Sequence, residues 1–309
     1  MPAKPSDVHV NQPLTGFALQ FRNRAFVAEE VFPVVPVMKE SDVYYTFSRE
    51  ELRDVETLRA AGALAKEVDW VPSTASYIAE EYALRHLLAD RILNNADSPV
   101  RPRINTVSKL LKWIQLGIEK RVQAIAQSSA NAVATVAASP KWDGTSPTIE
   151  KDIDTAKDSI RNNAGVEPNA ILLPENVKDV VKRDSTLRDL IRYVINGGDG
   201  NRELLVNGEL PPVMFNLAII IAGATEDTSK LGQSSSIAKI WNDSVPVFYR
   251  EQAVSLEALS WGYIMRVQNP IVKSYRDEHR SGEYLEVSMI QAEELVTTNA
   301  ANLITDVLS

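Results

Sequence analysis

Residues 104–128 read INTVSKLLKWIQLGIEKRVQAIAQS, and this stretch carries the clearest structural pattern in the chain. Its apolar residues recur every three or four positions, the spacing that places them on one face of an α-helix. They are Ile104, Val107, Leu111, Ile114, Ile118, Val122 and Ile125. Asn105 or Thr106 is a candidate N-cap. At ~1.5 Å per residue, this helix is roughly 35 Å long, so we expect it to form a structural spine.

The segments beside this helix give further patterns. A helix over 75–94 is predicted by apolar residues at helical spacing, namely Leu84, Leu87, Leu88 and Ile92. Residues 128–139 are rich in Ala, Ser and Val and fit either a strand or a helix end. After them, Ile149, Ile153, Ala156 and Ile160 predict an amphipathic helix that ends near Gly165.

The N-terminal residues 1–37 are predicted to be extended, because prolines punctuate them at Pro2, Pro5, Pro13, Pro33 and Pro36. Each proline lacks a backbone donor and restricts the residue before it, so 31–37 cannot form a helix. A segment of this kind is ordered only when it lies on another surface. That surface is either the body of this chain or a neighbouring subunit.

Residues 38–76 predict a long two-stranded arm. Val43 to Phe47 is rich in strand-forming residues, a charged stretch follows, and Val68 to Val71 returns before Pro72. The arm has too few apolar residues for a core of its own, and an isolated hairpin is marginal in water. It therefore needs a partner surface. The alternative is a disordered surface loop.

Residues 169–260 predict a compact α/β unit, and 261–309 a return to strands. In the first region the expected strands are 170–173, 213–215, 217–221 and 245–249, with a helix over 174–182. In the second, Ile271 to Tyr275 and Tyr284 to Val287 are expected to pair as a hairpin.

Composition excludes several classes of protein. The chain has 309 residues and a net charge of −8, from 33 Lys+Arg against 41 Asp+Glu, which is not typical of a general nucleic-acid binder. It has no cysteine, and therefore no disulfide, thiolate metal site or cysteine nucleophile. The longest apolar run, Leu217 to Ala224, is far shorter than a membrane span, and the N-terminus has no signal-like segment. We expect a soluble, intracellular protein.

No constellation favours catalysis. The three histidines, His9, His86 and His279, lack metal-ligand spacing. The glycine cluster at 197–200 lacks the lysine of a phosphate loop. Asp152 and Asp154 fit the acidic preference of a first helical turn better than a magnesium site. Four basic residues of the long helix are interpreted as its solvated face, namely Lys109, Lys112, Lys120 and Arg121.

From about residue 25 onward, the order and spacing of these elements resemble those of tailed-bacteriophage major capsid proteins, whose fold is named after phage Hong Kong 97. The resemblance includes Trp142-Asp-Gly-Thr-Ser-Pro147 before a helix, and Gly165 to Pro174 leading into a buried strand. It also includes the helix-forming run Asp184 to Tyr193 and the late strand at Ile240 to Tyr249.

The resemblance implies an α+β fold with a defined set of parts. These are an N-terminal arm (1–37), a β-hairpin called the E-loop (38–76), a peripheral P-domain (77–168 and 261–309) with spine helix 104–128, and an axial A-domain (169–260). Trp142 is expected to anchor the spine helix to the P-domain. The implied inter-subunit residues of the E-loop are Tyr45, Phe47, Arg59, Gly62, Lys66 and Trp70. No catalytic, cofactor or metal residue is implied, and no cross-link through Lys66 is predicted.

The implied function is structural. Pentamers and hexamers would form an icosahedral shell that encloses double-stranded DNA without specific binding, in a virion assembled in the host cytoplasm. Scaffold, portal and decoration proteins are further implied partners, and no membrane is. One alternative is an encapsulin, a compartment of the same fold that holds a cargo enzyme. Another is a hydrolase seated in residues 169–260, which would lose turnover on substitution of Asp152 or His279.

Overall fold

The computed structural model describes residues 9–20, 26–46, 54, 56–62, 64–65, 67, 73–95, 101–188, 210–230, 232–251 and 259–309. Its helices are α1 (Gln12–Gln20), α2 (Ala28–Val31), α3 (Asp90–Asn94), α4 (Pro102–Ala126), α5 (Ile149–Ala164) and α6 (Glu175–Arg183). Short 3-10 turns lie at Ser129–Asn131, Glu278–Arg280 and Thr298–Ala300.

The strands of these residues come from every part of the chain. They are β1 (His9–Val10), β2 (Val34–Pro36), β3 (Ser41–Thr46), β4 (Ser73–Ile78), β5 (Glu80–Ala89), β6 (Thr135–Ala137), β7 (Ala170–Pro174), β8 (Val213–Met214), β9 (Leu217–Ala222), β10 (Thr225–Asp227), β11 (Ile237–Lys239), β12 (Val245–Phe248), β13 (Gly262–Asp277), β14 (Gly282–Leu295) and β15 (Ala301–Thr305).

The first sheet is built on the long hairpin of β13 and β14, which pair antiparallel from Gly262↔Leu295 to Asp277↔Gly282. The predicted hairpin is therefore confirmed, and it is longer than expected. Its sheet has the strand order β1-β13-β14-β5, and β2 pairs parallel with the other end of β13.

The spine helix is confirmed as α4, which packs against β14 and β5. Val107, Leu111, Ile114, Ile118 and Val122 are buried, as their spacing predicts. The N-cap predicted at Asn105 or Thr106 is wrong. The helix begins at Pro102, Arg101 precedes it without a side-chain cap, and the missing proline donor leaves no unpaired N–H at this position.

The helix expected over 75–94 is wrong. These residues form β4, β5 and the short helix α3, and β5 pairs with β14 from Ala89↔Gly282 to Glu80↔Gln291. The misleading signal has a simple cause. Leu84 and Leu88 are four residues apart, which is one helical turn but also two strand repeats. Pairing with β14 decides between the two.

The N-terminal arm is less extended than expected. Gln12–Gln20 is a helix in which Pro13 stands second, where its missing donor is tolerated. Pro33 and Pro36 are predicted to exclude a helix in this part of the arm, and β2 is accordingly extended along β13. The described arm lies on the body of its own chain, and Leu14, Val31 and Phe32 belong to the main core beneath α4.

The second sheet has the order β6-β15-β12-β7-β9-β8 and separates two cores. The predicted strands at β7, β9 and β12 and the predicted helices α5 and α6 are confirmed. Along β7, Ala170 and Leu172 face the main core, whereas Ile171 and Leu173 face a second core with α5 and α6. This alternation is the two-residue repeat of a strand that is buried on both faces.

Two segments of the predicted P-domain contribute to this second sheet and its core. The strand β15 pairs with β12 and β6, so the C-terminal residues 301–305 join a sheet that also contains strands of 169–260. Trp142 packs in the second core with Ile149 and Ile153 of α5 and does not pack on the spine helix. The C-terminal segment and the Trp142 segment therefore stabilise the second sheet and its helices.

Gly262 gives a first testable prediction. A Cβ there would lie 2.8 Å from Phe32 Cζ and 2.9 Å from the Glu294 carbonyl oxygen, closer than real Cβ contacts. Gly262→Ala is therefore expected to lower the free energy of unfolding by about 1–3 kcal/mol, measured by urea unfolding of the unassembled protein. Gly16 of α1 is the matched control, because nothing lies within 4 Å of its added Cβ. Equal stability of the Gly262 and Gly16 alanine variants would contradict the close packing.

Candidate assembly surface

The root of the predicted arm is an antiparallel ribbon of β3 and β4, with pairs from Ser41↔Ile78 to Thr46↔Ser73. The strand predicted at Val43 is therefore confirmed, although the return strand described here, Ser73–Ile78, lies later in the chain than 68–71. Because side chains alternate along a strand, the ribbon has an inner and an outer face.

The inner face fixes the ribbon to the body through Tyr44, whose hydroxyl donates to the Leu295 carbonyl oxygen at 2.9 Å. The Tyr77 hydroxyl donates to the carbonyl oxygen of Lys39, just before β3, at 3.0 Å. Both rings are buried, with centroids 6.5 Å apart, in a small core shared with Tyr263 and Met265. Burial raises the pKa of Tyr44 to about 12, so its hydroxyl remains a donor throughout the neutral range.

The outer face exposes three large apolar side chains. Val43 is 55% exposed, Tyr45 41% and Ile78 71%, and all three project from the same side of the ribbon, among Ser41, Thr74 and Ser76. We call the three apolar side chains the outer stripe. Met38, just before β3, is 99% exposed. Large apolar side chains exposed together on a two-stranded ribbon indicate a candidate surface for a partner.

The predicted interface residues divide into two groups. Tyr45 lies in β3 and is exposed, while Arg59 and Gly62 lie beyond the ribbon and are exposed as well. Gly62 has φ +82°, and a Cβ there would have open space around it. Phe47, Lys66 and Trp70 lie outside the described residues. The inter-subunit role of all six remains a prediction.

The sequence analysis missed Val43 and Ile78 as surface candidates. The alternation of Val43 and Tyr45 about Tyr44 was a usable signal, because a strand with one anchored face exposes every second residue. No such signal existed for Ile78, because the segment around it was assigned to a helix.

Glu119 was also missed, and it holds the arm to the spine helix. Its carboxylate is fully buried and accepts the backbone N–H groups of Val27 at 3.0 Å and Ala28 at 2.9 Å. It also accepts Trp241 Nε1–H at 2.6 Å. Burial raises the pKa of Glu119, and the three hydrogen bonds oppose that rise only in part. One side chain thus joins the arm, the spine helix and the loop before β12.

A second cluster ties the ribbon side of the sheet to the spine helix. The Arg121 guanidinium bonds both carboxylate oxygens of Glu293 at 2.9 Å and lies 3.8 Å from the ring centroid of Tyr82. A planar, bidentate pair of this kind fixes relative orientation as well as charge. These contacts therefore hold the sheet of β5 and β14 against the spine helix.

The residues considered for chemistry stay apart. His86 and His279 are exposed on different elements, and no group of three metal-ligating side chains occurs among the described residues. The Asp152 carboxylate is buried and accepts Trp142 Nε1–H at 2.9 Å and the Thr148 hydroxyl at 3.1 Å, whereas Asp154 is exposed. The glycine cluster at 197–200 lies outside the described residues. Within the part of the chain searched, no helix is both long and apolar enough to cross a bilayer.

Sequence comparison finds two curated phage relatives, both named major capsid protein. The protein of Pseudomonas phage JBD67 is 22% identical over 248 residues, which cover 79% of this chain and 78% of the relative. That of Burkholderia phage BcepMu is 24% identical over 276 residues, which cover 85% of each chain. No protein-family model matches the sequence.

Structure comparison extends over nearly the whole chain. A phage-related protein from Bordetella bronchiseptica RB50 has a TM-score of 0.73 at 23% identity and covers 97% of this chain and 98% of its own. The capsid of cyanophage P-SCSP1u has a TM-score of 0.63 at 12% identity, covering 92% and 89%. A virus-like particle from Pyrococcus furiosus has a TM-score of 0.52 at 11% identity, covering 94% and 96%. The predicted α+β class and the Hong Kong 97-type capsid fold are confirmed, and the sequence is similar to those of two phage major capsid proteins.

Proposed function

We propose that this chain is the structural subunit of a phage shell, forming pentamers and hexamers that close as an icosahedral capsid around double-stranded DNA. The E-loop of each subunit lies across its neighbour and buries the outer stripe there. The chain is part of the virion, after assembly in the host cytoplasm, and it has no enzymatic role. Scaffold, portal and decoration proteins complete the proposed set of partners.

The observation that carries this proposal is the ribbon of β3 and β4. On its inner face Tyr44 is hydrogen-bonded to the body and Tyr77 is buried, while Val43, Tyr45 and Ile78 face outward. Burying two aliphatic side chains of this size contributes roughly 3 kcal/mol per contact. Repeated once for each subunit, a contact of that strength supports a closed shell.

Two alternatives are weaker. An encapsulin would share the fold, and a virus-like particle from Pyrococcus furiosus is among the structural neighbours, but both sequence relatives are phage capsid proteins. A hydrolase is disfavoured because Asp152 is already committed to Trp142 and Thr148, which leaves its carboxylate poorly placed to act as a base. The relatives named above also carry a structural name.

Polar substitution of the outer stripe tests the proposal. Val43→Ser/Ile78→Ser removes roughly 3 kcal/mol from each contact, so we expect the protein concentration needed for assembly to rise about a hundredfold. Electron microscopy and analytical ultracentrifugation measure the shells and the residual oligomers. Deletion of residues 45–70 is expected to abolish closed shells while circular dichroism shows a folded chain.

The matched control is Val213→Ser/Ile237→Ser, which removes side chains of similar exposure, 55% and 74%, from other strands. This control is expected to assemble like the parent. Closed shells from the deletion variant, or equal losses in the stripe variant and its control, would show that the E-loop is not the assembly device.

A further inference from the structure

The solvent-facing side of the spine helix has an unusual composition. Residues at 109, 112, 113, 116 and 120 fall on one helical face, because they are spaced by three or four. They are Lys109, Lys112, Trp113, Leu116 and Lys120. The lysines and Trp113 are exposed, and Leu116 is half-buried. We call this set the lysine–tryptophan face.

The charge of this helix is opposite to that of the chain. Pro102–Ala126 contains five Lys and Arg residues but a single acidic residue, Glu119, which is buried, whereas the whole chain has a net charge of −8. The exposed surface of the helix is thus free of carboxylates from its own sequence. Such segregation creates a local positive field on an acidic protein.

The basic side chains of the helix are used in two ways. Arg103 pairs with Glu283 at 2.9 Å, Lys120 with Glu226 at 2.7 Å and Arg121 with Glu293 at 2.9 Å. Lys109 and Lys112 have no ion pair with any carboxylate of the described residues. These two lysines lie within the helical turn that precedes Trp113 and remain available to an external anion.

Trp113 is the second part of the observation. It is 57% exposed, whereas Trp142, Trp241 and Trp261 are 1–2% exposed. A solvated helical face explains the lysines but leaves this indole without a packing role. An exposed aromatic ring between lysines combines a stacking surface with cations that bind phosphates, the pairing used to hold nucleic-acid strands.

We propose that the lysine–tryptophan face contacts nucleic acid without reading its sequence. Lys109 and Lys112 bind backbone phosphates, and Trp113 stacks on a base or lies against a sugar. The inference rests on the proposed function, in which the shell encloses DNA. Each contact is weak, and its effect comes from repetition over many subunits, so the enclosed genome is held without being trapped.

Fluorescence anisotropy tests this contact with the full-length unassembled protein and fluorescein-labelled DNA, as a 20-base-pair duplex and as its single strand. Lys109→Gln/Lys112→Gln is expected to weaken binding by about tenfold or more. It is also expected to reduce the slope of log K for DNA binding against the logarithm of the salt concentration, by the amount that corresponds to about two phosphate contacts. Trp113→Ala is expected to weaken single-strand binding about fivefold or more with an unchanged salt slope, because stacking releases no counterions.

The control Lys151→Gln/Lys230→Gln makes the same charge change at exposed lysines elsewhere and is expected to bind like the parent. Equal weakening by this control shows a diffuse charge effect and overturns the proposal. Equal binding by the parent and the spine-helix variants also overturns it. A third contradictory result is poly-L-glutamate that binds the parent as tightly as DNA, which indicates an acidic polypeptide partner.

The DNA contact of the lysine–tryptophan face and the proposed shell function can be contradicted independently of each other. Electron microscopy of the same variants under assembly conditions reports shell formation, which the spine-helix variants leave intact if assembly depends on the E-loop. Shells without any DNA affinity contradict only the lysine–tryptophan face. A protein that forms no shells under any condition contradicts the proposed function.

Discussion

Trp142→Ala is expected to lower the free energy of unfolding by about 3–5 kcal/mol. The indole is 2% exposed and packs in the second core, where its removal leaves a large cavity beside Ile149 and Ile153. Its Nε1–H also bonds the buried Asp152 carboxylate at 2.9 Å, which loses one of its two side-chain donors. Urea unfolding of the unassembled protein, followed by circular dichroism, measures the loss.

Two variants separate the contributions to this effect. The phenyl ring of Trp142→Phe fills most of the space but cannot donate to Asp152. We therefore expect the free energy of unfolding to fall by about 1–3 kcal/mol, the usual effect of one unpaired buried group. Trp113→Ala removes the same side chain from an exposed position and is expected to change stability by about 0.5 kcal/mol or less. A Trp142→Ala protein as stable as Trp113→Ala would mean that the second core does not depend on this residue.

Glu119→Ala is the second large effect, because it leaves three buried donors without an acceptor. These are the N–H groups of Val27 and Ala28 and the Trp241 Nε1–H. Each unpaired buried group costs about 1–3 kcal/mol, although relief of a buried charge offsets part of the sum. We expect the free energy of unfolding to fall by about 3 kcal/mol and the N-terminal arm to detach from the spine helix. Hydrogen exchange of the 26–36 amides measures that release.

The pH dependence of stability distinguishes the charge of Glu119 from its shape. Because burial raises its pKa, the folded protein binds more protons than the unfolded chain between the ordinary and the raised pKa. The stabilising contribution of this group is therefore complete below the ordinary glutamate pKa and is lost as the pH rises through the raised value. Glu119→Gln keeps the shape and removes the titration. The parent is expected to gain stability relative to this variant as the pH falls from 7 to the ordinary glutamate pKa.

A constant difference between the two proteins over this pH range would contradict the raised pKa. An arm that stays protected in Glu119→Ala would show instead that its apolar contacts hold it. Val31 and Phe32, both fully buried, are the residues that would provide that support. The measurement thus separates polar from apolar anchoring of the arm.

Together, these contacts divide the molecule into anchored and unanchored parts. The described N-terminal arm is bound to its own chain through Glu119 and the main core. The ribbon is anchored through its inner face, and its outer stripe is exposed. Of the two surfaces predicted to order the arm, its described residues use the body of their own chain, whereas the partner surface of the E-loop stays a prediction.

Elements whose burial is local and periodic could be predicted from the amino-acid pattern alone. Apolar residues at three- and four-residue spacing specified α4 and α5, and a fully apolar run specified β7. Gly165 adopts φ +70° at the end of α5, as the predicted stop requires. These signals suffice because each depends on one element and on which of its faces meets a core.

Features that depend on pairing between distant segments emerge only in the folded chain. Residues 80–89 form a strand because β14 lies beside them, and Ala301–Thr305 enters the second sheet because β12 is its neighbour. Glu119 is buried because donors 92 and 122 positions away converge on it. A local pattern of three to five residues does not contain such information, since the stabilising partner is absent from the window that is read.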